Sequence, residues 1–203
     1  MSHAKAAILA GGQARRMGGQ NKALLEVDGR AIIDRQLDVL RPRFGPRGIA
    51  AVLAVGAGPS DAAPFAARGL DVVCDRESGQ GPLAGLAAAL AWADGALLFA
   101  LACDMPYVAA PVVDAILARA RAADLVVPIA SGRHQPLIAC YSPAAAAVIA
   151  AELAAGRRRA SSLPDAARAA GLVVELIDGD EIENLDPGLR SFANLNRPSD
   201  KSP

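Results

Sequence analysis

At 203 residues, with 53% apolar and 3% aromatic side chains, the chain is expected to build one domain around one core, because chains usually divide only at greater length. Lys and Arg number 21, as do Asp and Glu, and no run of five like charges occurs, which excludes a general nucleic-acid or anionic-membrane binder. The 47 alanines make nearly half of the apolar fraction small, and the 18 arginines stand in a composition rich in Ala, Gly and Pro, so their abundance is not itself a functional signal.

The first predicted strand, AKAAIL from Ala4, is about a third of a bilayer-spanning helix and runs into glycines without a cleavage site, so neither a signal peptide nor a span is expected. A helix over Ala31 to Leu40 follows, then strands IAAVLAV from Ile49 and LDVVC from Leu70. A helix from Pro82 to Ala93 leads to the strand ALLFALA from Ala96. After a helix from Ala110 to Ala122, the strands LVVPI from Leu125 and LIACY from Leu137 flank SGRHQPL, whose turn chemistry predicts a hairpin and hence one antiparallel strand. Helices from Pro143 to Ala155 and Ser162 to Ala170, a strand LVVELI from Leu172 and a polar tail from Asn196 complete the order. Pro82, Pro111 and Pro143 suit first-turn positions.

Strands that alternate with helices and lack a polar face predict a three-layer α/β/α fold with a mostly parallel twisted sheet. Cys74, Cys103 and Cys140 have no CxxC spacing and only two histidines to join, which excludes zinc and disulfide frameworks. All three adjoin apolar runs and read as buried thiols in a reducing compartment, so a cytoplasmic location is expected. The one basic cluster, Arg157-Arg158-Arg159, reads as a solvated helix end in preference to a polyanion site.

ILAGGQARRMGGQNKALL, from Ile8 to Leu25, follows the first strand directly and can aim backbone N–H groups and cations at phosphates. Its spacing fits neither the P-loop nor the dinucleotide fingerprint. Gly11 and Gly12 allow close backbone approach to a flat ligand, Gly18 and Gly19 allow a second bend around a phosphate chain, and Arg16 and Lys22 would neutralise its charge. ACDMPY sets Asp104 just past an apolar strand, where a carboxylate suits Mg²⁺ held between protein and phosphates, or else serves as a turn residue. CDRESGQGPLAGLAAAL places Asp75 at another strand end. Gly81 opens a helix whose Leu83, Leu86 and Leu90 are core, and Gly81 and Gly85 serve either helix packing or a ligand at the same edge. In FANLNRPSD, alternation sends Asn194 and Asn196 to one strand face, although Asn before a turn is commonplace.

LAGGQARRMGGQNKALLEVDG, GPLAGLAAAL, CDMP, GRRR and NLNRPSD, in this order, resemble the molybdenum cofactor guanylyltransferase family over about Ala6 to Asp200. The resemblance implies a Rossmann-like nucleotidyltransferase that transfers GMP from GTP to molybdopterin and releases pyrophosphate, with Mg²⁺. It implies that Leu9, Ala10 and Gly11 hold guanine and that Gly12 begins the nucleotide loop. Arg16, Gly19 and Lys22 match phosphate-side positions, Asp75 a nucleotide contact and Asp104 the Mg²⁺ ligand. Asn194 and Asn196 match the pterin side, to which Gly81 is also assigned. The expected division is a nucleotide-binding part over residues 1–105 and an acceptor-side part over 106–200.

Three positions depart from the family pattern: Asn21 for Asp, Gln135 for His, and Arg197 for Thr. A phosphate oxygen of molybdopterin is expected to attack the α-phosphorus of GTP without a covalent enzyme intermediate, with Asp104, Arg16 and Lys22 in the catalytic roles. The alternatives are cytidylyl transfer to molybdopterin or nucleotidyl transfer to a sugar phosphate, whose relatives typically carry Ala at the Gly11 position. A further alternative is a non-catalytic guanine-nucleotide-binding module in molybdoenzyme assembly.

Overall fold

The structure, a computed structural model, describes residues 4–11, 21–53, 57–74 and 81–195. The parallel part of the sheet is built from β1 (Lys5–Leu9), β4 (Ile49–Leu53), β5 (Asp71–Cys74) and β6 (Leu98–Ala102). β7 (Leu125–Ala130) pairs in parallel with β10 (Val174–Ile177), and β9 (Ile138–Tyr141) runs antiparallel between β6 and β7. The order across the sheet is β10-β7-β9-β6-β1-β4-β5; β7 and β9 pair antiparallel as the expected hairpin, and the short β8 (Arg133–His134) between them turns back on β7. A separate antiparallel pair, β2 (Glu26–Val27) and β3 (Arg30–Ala31), leads into the first helix.

Alternate residues of each central strand enter different cores, which is why the strands carry no polar face. Ala6 and Ile8 of β1, with Phe99 and Leu101 of β6, pack under α1 (Ile32–Phe44), α2 (Pro59–Ala66), α4 (Ala110–Arg119) and α7 (Gly179–Leu185). Ala7, Leu98 and Ala100 face α3 (Pro82–Ala93), α5 (Ala145–Ala154) and α6 (Leu163–Ala169). Each buried leucine or isoleucine contributes about 1.5–3 kcal/mol, so two-sided burial dominates the fold's stability. Two arginines tie elements together at the surface: Arg43 of α1 clasps Asp114 of α4, and Arg68, just after α2, clasps Asp34 of α1.

The seven predicted strands and five predicted helices are present, and the chain adds α2, α7 and the β2–β3 pair. Pro82 and Pro111 occupy first-turn positions. Pro143 instead precedes α5, which begins at Ala145. Cys103 and Cys140 are buried as expected, but Cys74 is exposed, because β5 is an edge strand whose last residue leaves the cover of the helices. Among the described residues, no helix is long and apolar enough to cross a membrane.

Candidate active site at the ends of the first and sixth strands

Leu9 and Ala102 close the adjacent strands β1 and β6 and stand opposite each other in register. From β1 the chain builds β4 and β5 on one side and then returns to lay β6 on the other. Such a reversal of strand order opens a crevice at the carboxyl ends of the strands, where ligands bind in open α/β sheets. The loops leaving Leu9 and Ala102 carry the glycine-rich segment and the Asp104 turn.

Asn21 closes the glycine-rich loop. Its Nδ2 donates to the carbonyl of Ala10 at 3.0 Å, and its Oδ1 accepts from the N–H of Ala23 at 3.0 Å, capping the short 3₁₀ turn Lys22–Leu24. One side chain therefore joins the start of the loop to its end and orients the residue that follows. Lys22 then reaches across to Asp104, with Nζ 3.4 Å from Oδ2 and side chains 26% and 22% exposed. Both are wet enough to meet a ligand and near enough to act on one phosphate group.

The strand-end backbone is largely committed within the protein. The carbonyl of Leu9 accepts from Cys103, and the N–H of Ala10 donates to Val52. Gly11 is the first residue past β1 whose backbone takes no partner among the described residues. Leu9 itself packs toward Gly85 of α3, where an added Cβ would sit 3.6 Å from its Cδ2. The side chain of Leu9 thus packs beneath the crevice.

The carbonyl of Asp104 accepts from Leu195 at 2.9 Å, which brings the C-terminal asparagine motif to the same turn. Residues 193–195 form no ladder, so the expected strand is an extended segment after the 3₁₀ turn Arg190–Phe192. Leu195 is buried, 4% exposed, while Asn194 is exposed. Gly81 caps α3 at φ +70°, and an added Cβ would lie 3.1 Å from the carbonyl oxygen of Arg158. It thereby adjoins a cleft of about 680 Å³ lined by Gly156, the three arginines 157–159, Ser161 and Ser162. The arginines do follow the end of α5 and are exposed, with Arg157 held by Glu152, whose carboxyl the guanidinium keeps below its usual range. Gly12, Arg16, Gly19, Asp75 and Asn196 lie outside the described residues.

Burial and the neighbouring Asp104 charge push the Cys103 thiol up to about 12, so it remains a protonated, inert thiol beside the site. Among the described residues, no group of three or more His, Cys, Asp or Glu can form an all-protein metal cage. One partly exposed carboxylate suits Mg²⁺, which keeps several waters and takes few ligands from protein.

Two residues at the site were not singled out for these roles from the sequence. Asn21 before Lys22 has the residue type of an N-cap. Gln36 interrupts the apolar stripe Ile33, Leu37 and Leu40 of α1 and is fully buried, a polar exception on a core face.

Residues 6–169 match the profile of the MobA-like NTP transferase domain. A probable molybdenum cofactor guanylyltransferase of Pelotomaculum thermopropionicum is 34% identical over 200 residues, 98% of this chain and 91% of that protein. The molybdenum cofactor guanylyltransferase of Shewanella baltica is 34% identical over 161 residues, 78% of this chain and 79% of that one. The crystal structure of molybdopterin-guanine dinucleotide biosynthesis protein A from Archaeoglobus fulgidus superposes with a TM-score of 0.73 at 26% identity, covering 97% of this chain and 94% of that one. The 2-C-methyl-D-erythritol 4-phosphate cytidylyltransferase from Thermus thermophilus, at 20% identity, TM-score 0.63 and coverage of 96% and 94%, shares the fold.

Sheet order and crevice thus define a Rossmann-like nucleotidyltransferase. The chain belongs to the MobA-like NTP transferase family, that of the molybdenum cofactor guanylyltransferases.

Proposed function

We propose that the protein transfers GMP from GTP to molybdopterin and releases pyrophosphate. The observation that carries this reading is the meeting of Lys22 and Asp104 at the switch point, 3.4 Å apart, in a chain of this family. Gly11 reads the guanine edge, flanked by Leu9 and Ala10. Gly12 and Gly19 shape the loop around the triphosphate, Arg16 and Lys22 face its oxygens, and Asp75 contacts the nucleotide. When bound at Asp104, Mg²⁺ supplies charge neutralisation for the phosphates.

Lys22, pinned by the Asn21 cap, holds a fixed positive charge where negative charge grows on the α-phosphate and the departing pyrophosphate. Such preorganised groups need no reorganisation during reaction, and in-line attack by a phosphate oxygen of molybdopterin requires positioning rather than an enzyme nucleophile. Gly81, Asn194 and Asn196 take the acceptor. The nucleotide side is residues 1–105 and the acceptor side 106–200, in a cytoplasmic protein.

The test is pyrophosphate release by purified protein with GTP and Mg²⁺, with and without molybdopterin. Release that requires molybdopterin is expected. Tight GTP binding without release would make the protein a non-catalytic module.

A further inference from the structure

We infer that Gln36 is a positioning residue for Asp104, its side-chain amide fixing the turn that presents the carboxylate to the nucleotide. This rests on the reading of Asp104 as the metal-binding residue. Gln36 lies on the core face of α1 with no exposure, among Ile33, Leu37 and Leu40. Its Nε2 donates to the carbonyls of Ala102 at 2.8 Å and Met105 at 3.0 Å. Those two carbonyls bracket Cys103 and Asp104, so one NH₂ group grips the chain on both sides of the carboxylate. The carbonyl of Asp104 is held from a third direction by Leu195.

The other half of the amide gains nothing. Oε1 of Gln36 is buried with no partner among the described residues. Flipping the amide would set that oxygen against two carbonyl oxygens, so the neighbours dictate its orientation. A Met or Leu here would fill the core without an orphaned acceptor. The position therefore carries an amide for what its two hydrogens do at the Asp104 turn.

The adjacent Arg35 extends the grip. Its Nε donates to the carbonyl of Pro106 at 3.1 Å and its Nη1 to that of Val27 at 3.3 Å. The N–H of Ile32 donates to Leu25, just past the Lys22 turn. The first two turns of α1 thus strap down both segments whose side chains meet as Lys22 and Asp104.

The experiment compares Gln36→Met and Gln36→Asn with the unmutated protein, using Mn²⁺ as the probe. Mn²⁺ affinity in the complex with GTP is measured by electron paramagnetic resonance, alongside melting, hydrogen exchange at Cys103 to Tyr107, and the Mg²⁺ and GTP dependence of turnover. Gln36→Met should melt within about 4 °C of the parent, since it loses two hydrogen bonds but removes an orphaned acceptor. Mn²⁺ affinity should fall about 10-fold, the scale on which groups that orient metal ligands act. Half-saturating Mg²⁺ should rise in parallel, while KM for GTP at saturating Mg²⁺ stays within twofold and exchange in the turn quickens. Gln36→Asn, which withdraws the amide by one methylene, should move the same quantities.

Unchanged Mn²⁺ affinity in a folded Gln36→Met would overturn the inference. So would failure of both variants to fold, because the amide would then be a requirement of the fold. Asp104→Asn serves as the control: if it binds Mn²⁺ as the parent does, the reading of Asp104 fails and not the role of Gln36 alone.

Discussion

Lys22 and Asp104 are separated by 82 residues of chain, yet Lys22 Nζ lies 3.4 Å from Asp104 Oδ2. The register that sets Leu9 opposite Ala102 brings them together, since each residue sits in the loop that leaves one of those strands. A partly exposed ion pair of this kind stabilises a fold by about 0–1 kcal/mol. Losing either partner should therefore leave the protein folded and fall almost wholly on catalysis. Asp104→Ala is expected to abolish turnover, and Lys22→Ala to lower kcat by about 10²–10³, the cost of one preorganised group at developing charge. Steady-state rates beside melting curves check this; a Lys22→Ala rate within twofold of the parent would contradict it.

Asn21 gives a graded test of the loop closure. Asn21→Ala removes both the cap on the Lys22 turn and the bond to Ala10, and loss of an N-cap alone costs about 0.5–2 kcal/mol. Asn21→Asp keeps the capping oxygen but replaces the donor to Ala10 with a carboxylate oxygen facing that carbonyl. We expect kcat/KM for GTP to fall about 10-fold in Asn21→Ala, equivalent to about 1.4 kcal/mol. Asn21→Asp should lose much less. Equal losses in the two variants would show that the Ala10 tether, not the cap, orients Lys22.

The two glycines of α3 should respond in opposite ways. Gly81 has φ +70°, and its added Cβ would lie 3.1 Å from Arg158 O. Gly81→Ala is thus expected to cost about 1–2 kcal/mol and lower Tm by about 3–6 °C. At Gly85 the added Cβ meets Leu9 at an ordinary 3.6 Å. The helix-propensity gain from Gly to Ala is about 1 kcal/mol, so Gly85→Ala should melt at or above the parent temperature. Thermal unfolding of both variants measures this directly.

How much of this was legible in the sequence depended on how local each signal is. The seven main strands were readable because short, almost wholly apolar runs between turn residues need no knowledge of their neighbours. α2 was hidden by Pro59 and Pro64, and α7 by the acidic, short GDEIENL. The glycine-rich loop with its cations nominated Lys22, and the strand-end rule nominated Asp104 as either a metal ligand or a turn residue. Gln36 could not be assigned, because its partners lie 66 and 69 residues away and only the folded sheet brings them under α1. Cys74 was misjudged because hydropathy does not reveal which strand lies at an edge.

That difference among the cysteines has a chemical readout. Cys74 is exposed, whereas burial pushes the Cys103 thiol up to about 12 and raises that of Cys140 further. A thiol-reactive dye on the native protein near pH 8 should label one cysteine rapidly, Cys74, and the other two only after unfolding. Rapid labelling of Cys103 would contradict the packing around the Asp104 turn.

The most direct measurement offers the protein molybdopterin, Mg²⁺ and an equimolar mixture of GTP, CTP and ATP, and identifies the dinucleotide product by mass spectrometry. The account predicts the guanine dinucleotide, with pyrophosphate in equal amount and none of the product in Asp104→Ala. A cytosine dinucleotide as the main product, or no dinucleotide at all, would contradict guanylyl transfer.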